Sequence, residues 1–346
     1  MNQGNLTTVE APAADEAVGE IAIPVVEPQK PKGGGDKKNG FWREEWKRIK
    51  KHRALLWFVI PAIAISVIFA YVPMIWILFA FRDSYTTSRG ADFVYNWNHS
   101  NWTFRNILQI FSDDKFGLAV GNTLLINVIR LAFCFPLSIL IAVQLSELKS
   151  QTLAKVILII LTIPNFLSWA IVIGTWSGLL DPKFGFLGKE IGYNLIGSSS
   201  WFKPLVVFFS AWKGAGWGCI LYYSAIVSID KTYYESATLE GANKLQKMWY
   251  LTIPSILSTI ALTLVLNISS MMATGFEQVY TMMQINMGPL SQSQVVLDTY
   301  IYEISIINKT DLPFATALGV FNGLIGLTLM LVGNAITSKT MKRGLW

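Results

Sequence analysis

Charge is scarce in this 346-residue sequence: Asp, Glu, Lys and Arg together make up 14% of it, against roughly a quarter in a soluble domain. Cysteine is limited to Cys134 and Cys219, and histidine to His52 and His99. A disulfide framework or a zinc site needs more of these residues at closer spacing, so neither metal nor disulfide is expected. There is no Ser/His/Asp arrangement, no His/Glu metal pair and no phosphate-binding loop. Gly185-Phe186-Leu187-Gly188-Lys189 is too short for the G-x-x-x-x-G-K pattern followed by Ser or Thr. The sequence therefore argues against an enzyme, and any ATP hydrolysis must come from another polypeptide.

Apolar residues take up the difference. They form 52% of the chain, mean hydropathy is +0.43, and they gather in long runs. Crossing a bilayer takes about 20 mainly apolar residues. Six stretches qualify: 54–81, 118–145, 153–180, 202–229, 256–274 and 315–337. Backbone amides in hydrocarbon must find partners within their own segment, so each stretch is predicted to be a helix. The expected fold class is all-α, a polytopic membrane protein with six transmembrane helices. Both cysteines fall inside these spans, where a free thiol behaves as a small apolar group.

The net charge of +6 follows the membrane surface, and no nucleic-acid partner is expected. Eight Lys or Arg lie within residues 37–53. Others on the same side are Lys149, Lys155, Lys231, Lys244, Lys247, Lys339, Lys342 and Arg343. That makes 16 cations on one side against 8 on the other, which places both termini in the cytoplasm. Residues 1–40, rich in Ala, Pro, Glu, Val and Gly, have too little apolar surface to offset ordering and read as a disordered cytoplasmic tail. They lack the basic start and short apolar core of a signal peptide. In 41–53, Trp42, Trp46, Ile49 and Arg53 recur at helical spacing among cations, as in an amphipathic interfacial helix; a solvated linker is the alternative. Residues 54–346 form the six-helix transmembrane domain. Its first outer loop interleaves Tyr85, Phe93, Tyr95, Trp97, Trp102 and Phe104 with Asn and Ser, suiting an aromatic belt or sugar contacts.

The cytoplasmic loop 230–254 is the most informative segment. Thr232 and Glu235 have capping-box spacing and are predicted to open a short helix. Ala237 and Gly241 are four apart, leaving one face nearly bare for close approach by another backbone. Gly241 loosens the helix near its end, 244–250 forms a second helix, and Pro254 suits the first turn of the fifth span. Glu235 has two roles open to it, as a cap worth about 1 kcal/mol and as an ion-pair partner for a cytosolic protein.

This loop resembles the one that names the permease family of binding-protein-dependent ABC importers: E-A-A, three residues, G, nine residues, I-x-L-P. Glu235, Ala237, Gly241 and Pro254 match at the required spacing, while Ser236, Leu251 and Ile253 replace similar residues. Glu240 and Ala242 flank the glycine. The resemblance implies that Glu235, Ala237, Glu240, Gly241, Ala242 and Pro254 couple the chain to a separate ATPase. Asn122-Thr123-Leu124-Leu125, Phe135-Pro136-Leu137, Pro164 to Trp169, Asp298 to Tyr302 and Gly344-Leu345-Trp346 are similar to one branch. That branch is the LplB-like permeases of oligosaccharide and polysaccharide importers, which share the MalF-type, type I importer fold. It implies an oligosaccharide substrate, a second and different permease, two ATPase subunits that bind ATP and Mg, and an extracytoplasmic sugar-binding lipoprotein in a bacterial cytoplasmic membrane.

Polar residues inside the spans are the candidate substrate pathway. A cation at mid-helix costs about 2.5–3.5 kcal/mol to insert, so Arg130 and Lys213 must face other helices or a wet cavity. Lys213 is the better candidate for an acidic substrate. Ser210, Lys213, Gly214 and Trp217 share one helical face on the fourth span. Asn267, Ser270, Met271, Thr274 and Gln278 do the same along the fifth. Sugar recognition and helix–helix glue both suit these residues. A permease for another solute class stays open, whereas a secondary transporter lacks the central carboxylate it needs and a channel gives the coupling loop no role.

Overall fold

The computed structural model describes residues 53–86, 92–273, 275–285, 292–308 and 311–341. The predicted tail, the predicted interfacial helix except Arg53, Thr274 and the closing Gly344-Leu345-Trp346 lie outside the described residues. The chain divides into two units, Met1–Val67 and Ile68–Trp346. Among the described residues all regular structure is helical, apart from one isolated bridge between Arg82 and Trp102.

α1 (Arg53–Ser66) lies in the first unit and contains Pro61. A π-helical turn, Val67–Tyr71, and a 3-10 stretch, Val72–Phe81, follow it. The predicted first span is thus helical, but only its first half is α-helix. Pro73, in the opening turn of the 3-10 stretch, has no amide hydrogen for an α-type ladder. α2 (Asp114–Ser146) is a 33-residue helix, long enough at about 50 Å to pass beyond the hydrocarbon.

The predicted third span is not one helix. α3 (Gln151–Thr162) tightens into a 3-10 turn, Ile163–Phe166, and α4 (Trp169–Leu180) then leaves at 97°. Pro164 interrupts the amide ladder and Leu167 is extended, with φ −76° and ψ 141°. Ser168 starts the new helix by accepting a hydrogen bond from the Ile171 amide at 3.4 Å. α5 (Ser199–Val227) is unbroken and pairs with α2 in the most extensive helix contact of the fold. It also crosses α3 closely, because Gly216 has no Cβ: one added there would lie 2.1 Å from the Leu161 carbonyl oxygen.

After the short helix α6 (Lys231–Leu239), the segment Lys244–Ser255 meets α7 (Leu257–Ser269) at 68°. The fifth span is therefore bent at its start, where π-helical Met248–Thr252 and Pro254 disturb the ladder. It also ends early. The chain leaves α7 at Ser269, turns through Gly275 at φ +85°, and resumes in α8 (Phe276–Ile285). Gln278 consequently does not continue the face of Asn267, contrary to the single periodic stripe predicted. α9 (Leu312–Met341) supplies the sixth span and packs against α7.

Among the described residues, four helices are long and apolar enough to cross a membrane, and counting each of the two bent pairs as one span brings the number to six. Separate apolar clusters tie them together. One surrounds Ile126, Ile173, Phe202, Phe209 and Met282. A second joins Ala119, Leu297, Phe314 and Leu318, and a third Ala142, Cys219, Tyr222 and Ile256. α2 contributes to all three, so it is the element around which the others are placed.

Candidate functional site

The hairpin between the fourth and fifth spans is built from local hydrogen bonds. Asp230, not Thr232, caps α6: its Oδ1 accepts from the Thr232 amide at 2.9 Å and the Thr232 hydroxyl at 2.8 Å. These bonds, the amide first, hold the Asp230 carboxyl below its ordinary value. The predicted Thr232–Glu235 box is thus corrected. A carboxylate two residues earlier is the stronger acceptor, and Glu235 is left exposed and free of capping duty.

α6 closes in a Schellman motif. The Ala242 amide donates to the Ala237 carbonyl at 2.9 Å and the Gly241 amide to that of Thr238 at 3.1 Å, with Gly241 at φ +79°. Gly241 therefore lies past the helix end, and the bare Ala237/Gly241 helical face is not formed. What glycine supplies is the left-handed turn, and a Cβ there would meet nothing within 4 Å in this chain. Asn243 then opens the second helix with a reciprocal box: its Oδ1 accepts from the Gln246 amide and its amide donates to Gln246 Oε1, both at 2.8 Å. That helix is α only over Lys244–Lys247 and π-helical over Met248–Thr252, and Pro254 sits in the first turn of Ile253–Ser255.

Longer contacts brace the hairpin. Lys247 Nζ donates to Thr238 Oγ1 at 2.7 Å, the Tyr234 and Thr252 hydroxyls lie 3.0 Å apart, and Lys244 pairs with Glu147 at 3.2 Å. Ala237, Glu240, Gly241 and Ala242 line one groove of about 410 Å³ with Gln246 and Tyr250. Glu235 lines another of about 440 Å³ with Lys231, Lys244 and Glu147. Pro254 reaches neither. Leu239, Leu245 and Tyr250 stand out 90%, 67% and 83% exposed. The hairpin thus carries an exposed apolar tip, a kind of surface that protein partners commonly cover.

The membrane candidates separate into two places. On α5, Lys213 is buried and its Nζ donates to the Asn165 carbonyl at 2.7 Å, with Trp169 5.2 Å from the ammonium. The cation thereby satisfies a carbonyl exposed by the break between α3 and α4. Trp217 meets Phe166 edge-on at 6.2 Å, and the single Ser210 hydroxyl hydrogen faces both the Val206 carbonyl at 2.8 Å and Gln278 Oε1 at 3.0 Å. A Cβ on Gly214 would meet nothing within 4 Å. This face braces the broken span and α8.

Asn267, Ser270 and Met271 lie elsewhere, at the end of α7. They line a cavity of about 110 Å³ whose other wall is Asn127, Arg130, Leu131, Cys134 and Phe135 of α2. The structure thus does not bring the two predicted stripes into one site. It pairs the α7 residues with Arg130 instead. Asn127, Arg130 and Cys134 follow helical spacing along α2, a signal present in the sequence and left unused. Further along α2, Asn122 Nδ2 donates to the Gln292 and Val295 carbonyls at 2.7 and 2.8 Å, and Thr123 Oγ1 accepts from the Leu297 amide at 2.9 Å. Among the described residues, no three His, Cys, Asp or Glu side chains gather as a metal site.

The sequence model described as the binding-protein-dependent transport system inner membrane component matches residues 135–340. Over 317 residues the chain is 30% identical to the polygalacturonan/rhamnogalacturonan transport system permease protein YteP of Bacillus subtilis strain 168, covering 88% of this chain and 95% of that one. It is 32% identical over 306 residues to protein LplB of the same organism, covering 86% and 92%. A solved structure of a bacterial ABC transporter involved in import of the acidic polysaccharide alginate matches 86% of this chain and 99% of its own, with TM-score 0.74 and 29% identity. The same transporter type in complex with a periplasmic protein carrying alginate pentasaccharide matches 87% and 99%, with TM-score 0.74 and 30% identity. A bent six-span fold, a braced protrusion between the fourth and fifth spans, and matches of this extent agree: the chain belongs to the binding-protein-dependent transport system inner membrane components, the permease subunits of ABC importers.

Proposed function

We propose that this permease forms half of an oligosaccharide pathway and takes its power stroke through the hairpin 230–254. The observation that carries the reading is the hairpin's construction: capped at Asp230 and Asn243, closed at Gly241, and tied to the end of α2 by Lys244–Glu147. Glu235, Ala237, Glu240, Gly241 and Ala242 are its ATPase-facing residues, and Pro254 starts the segment leading into α7. ATP and Mg are bound by two partner ATPase subunits, a second and different permease completes the pathway, and an extracytoplasmic lipoprotein delivers the sugar. Both termini are cytoplasmic in this arrangement, on the side of the hairpin, in the bacterial cell membrane. Relatives named for polygalacturonan, rhamnogalacturonan and alginate support an oligosaccharide cargo.

The purified chain alone is expected to hydrolyse no ATP, while the complex assembled with its ATPase and partner permease is active and stimulated by loaded binding protein. Phosphate release from both preparations measures this, and robust hydrolysis by the isolated chain would overturn the assignment.

Asn267, Ser270 and Met271 are the pathway residues on the helix that the hairpin leads into. A helix moved by ATPase closure presents different contacts in the two states, as alternating access requires. Asn267→Ala removes a sugar hydrogen bond worth about 0.5–1.5 kcal/mol. Uptake is expected to fall several-fold with basal ATPase activity and melting temperature unchanged. A mutant of lower stability with unchanged relative preference among sugars would move Asn267 to the scaffold.

A further inference from the structure

Arg130 stands at the middle of the apolar helix α2, sixteen residues from Asp114 and sixteen from Ser146. A side chain there faces protein or water, not lipid, because hydrocarbon offers a guanidinium no hydrogen-bond acceptors. It lines the cavity of about 110 Å³ shared with Asn127, Asn267 and Ser270. Asn267 Nδ2 donates to the Thr263 carbonyl at 2.8 Å and Ser270 Oγ to the Asn267 carbonyl at 3.0 Å. Those bonds leave the Asn267 side-chain oxygen Oδ1, its second side-chain amide hydrogen and the Ser270 lone pairs for a ligand. Both residues are exposed. Among the described residues, the lining carries one positive charge and no carboxylate.

We propose that Arg130 binds the carboxylate of a uronate unit as the oligosaccharide crosses the membrane, which makes the cargo acidic. The inference rests on the reading of this chain as an oligosaccharide permease. A guanidinium presents two parallel N–H donors that match the two oxygens of a carboxylate, a geometry an ammonium lacks. The surrounding groups suit the adjoining ring hydroxyls: amide and hydroxyl oxygens accept, and the Asn267 N–H donates. In the low dielectric of the membrane interior, this cation separates an acidic sugar from its neutral analogue more sharply than it would in water. Lys213, the other intramembrane cation, is absent from the cavity lining, and its ammonium donates to the Asn165 carbonyl at 2.7 Å. The specificity charge therefore sits on α2, opposite the wall that the hairpin moves.

The test uses the complete complex in proteoliposomes with binding protein inside a matched assay. The probes are tetramers of galacturonate and of mannuronate, each beside its carboxyl-reduced neutral form. Wild type is expected to import at least one acid. Arg130→Gln is expected to lower that uptake about tenfold or more while uptake of the neutral form changes less than about twofold, a charge-assisted bond being the term removed. Arg130→Lys, which keeps the charge without the fork, is expected to fall between and serves as the readout where Arg130→Gln assembles poorly. Equal loss for acid and neutral sugars, or no loss for either, overturns the inference. A wild-type complex that imports neutral tetramers and refuses both acids also overturns it, and leaves oligosaccharide import standing. A complex that imports none of the four overturns both readings.

Discussion

Gly241→Val is expected to uncouple the transporter: uptake lost, with the chain still present in the membrane and some unstimulated ATPase activity retained. Gly241 sits at φ +79°, where an L-residue meets its own following carbonyl at a cost of about 1–2 kcal/mol and a β-branched one is worse placed still. That cost falls on the Schellman closure between Ala237 and Ala242, which sets the direction in which Asn243 starts the next helix. A shift of this size changes a local folded-to-frayed ratio by a factor of about 5–30. Gly241→Asn separates the causes. Asn tolerates the left-handed turn, and beyond the glycine and its two chain neighbours nothing among the described residues lies within 4 Å of where a Cβ would stand. If the turn is what matters, Gly241→Asn retains most of the uptake. If close approach by the ATPase is what matters, Gly241→Asn fails with Gly241→Val. Normal uptake in Gly241→Val would remove the coupling role from this glycine.

Gly216→Ala is expected to cause the largest loss of stability of any single methyl added to α5. Its Cβ would lie 2.1 Å from Leu161 O, 2.3 Å from Leu161 C and 2.8 Å from Thr162 N. All three are backbone atoms, so no side chain can swing aside and α3 must move away from α5. Overpacking costs about 1–3 kcal/mol where side chains adapt, and more where they cannot. Gly214→Ala is the matched comparison two residues earlier on the same helix, with nothing within 4 Å. There, replacing glycine gains about 0.8–1.0 kcal/mol of helix propensity. The expected result is a lowered melting temperature and poor assembly for Gly216→Ala, and an unchanged or raised melting temperature for Gly214→Ala. Equal behaviour of the two variants would mean that α3 and α5 do not meet at Gly216 in the membrane.

Much of the molecule follows from local composition. Twenty-residue apolar runs in a charge-poor chain have one physical solution, so membrane-crossing helices and their approximate positions were legible from residue order alone. The same holds for the hairpin: Asp230, Gly241, Asn243, Gln246 and Pro254 act on amides within a few residues, and their spacing announces helix, turn and helix. Even there, two acceptors competed for the α6 cap, and Asp230 prevailed over Thr232 because a carboxylate is the better acceptor.

The breaks inside the spans were not legible in this way. Pro164 marks a weak point, but a proline kinks one helix and leaves another nearly straight, depending on what receives the freed carbonyl. Here the receiver is Lys213, 48 residues away, donating to Asn165 at 2.7 Å. Only the packing of α5 against the α3–α4 junction brings that donor to its acceptor. The cavity has the same origin. Arg130 and Asn267 are remote in sequence, and periodicity reports which face of a helix is polar but carries no information on which other helix that face will meet. The early end of α7 compounds this, because it sends Gln278 to Ser210 and leaves Asn267 opposite Arg130. Sequence by itself determined that the chain crosses the membrane and forms a hairpin between its fourth and fifth spans, since both depend on neighbours along the chain. Tertiary structure alone decided which intramembrane cation holds the fold and which one lines the cavity, since that depends on contacts between helices that local order does not encode.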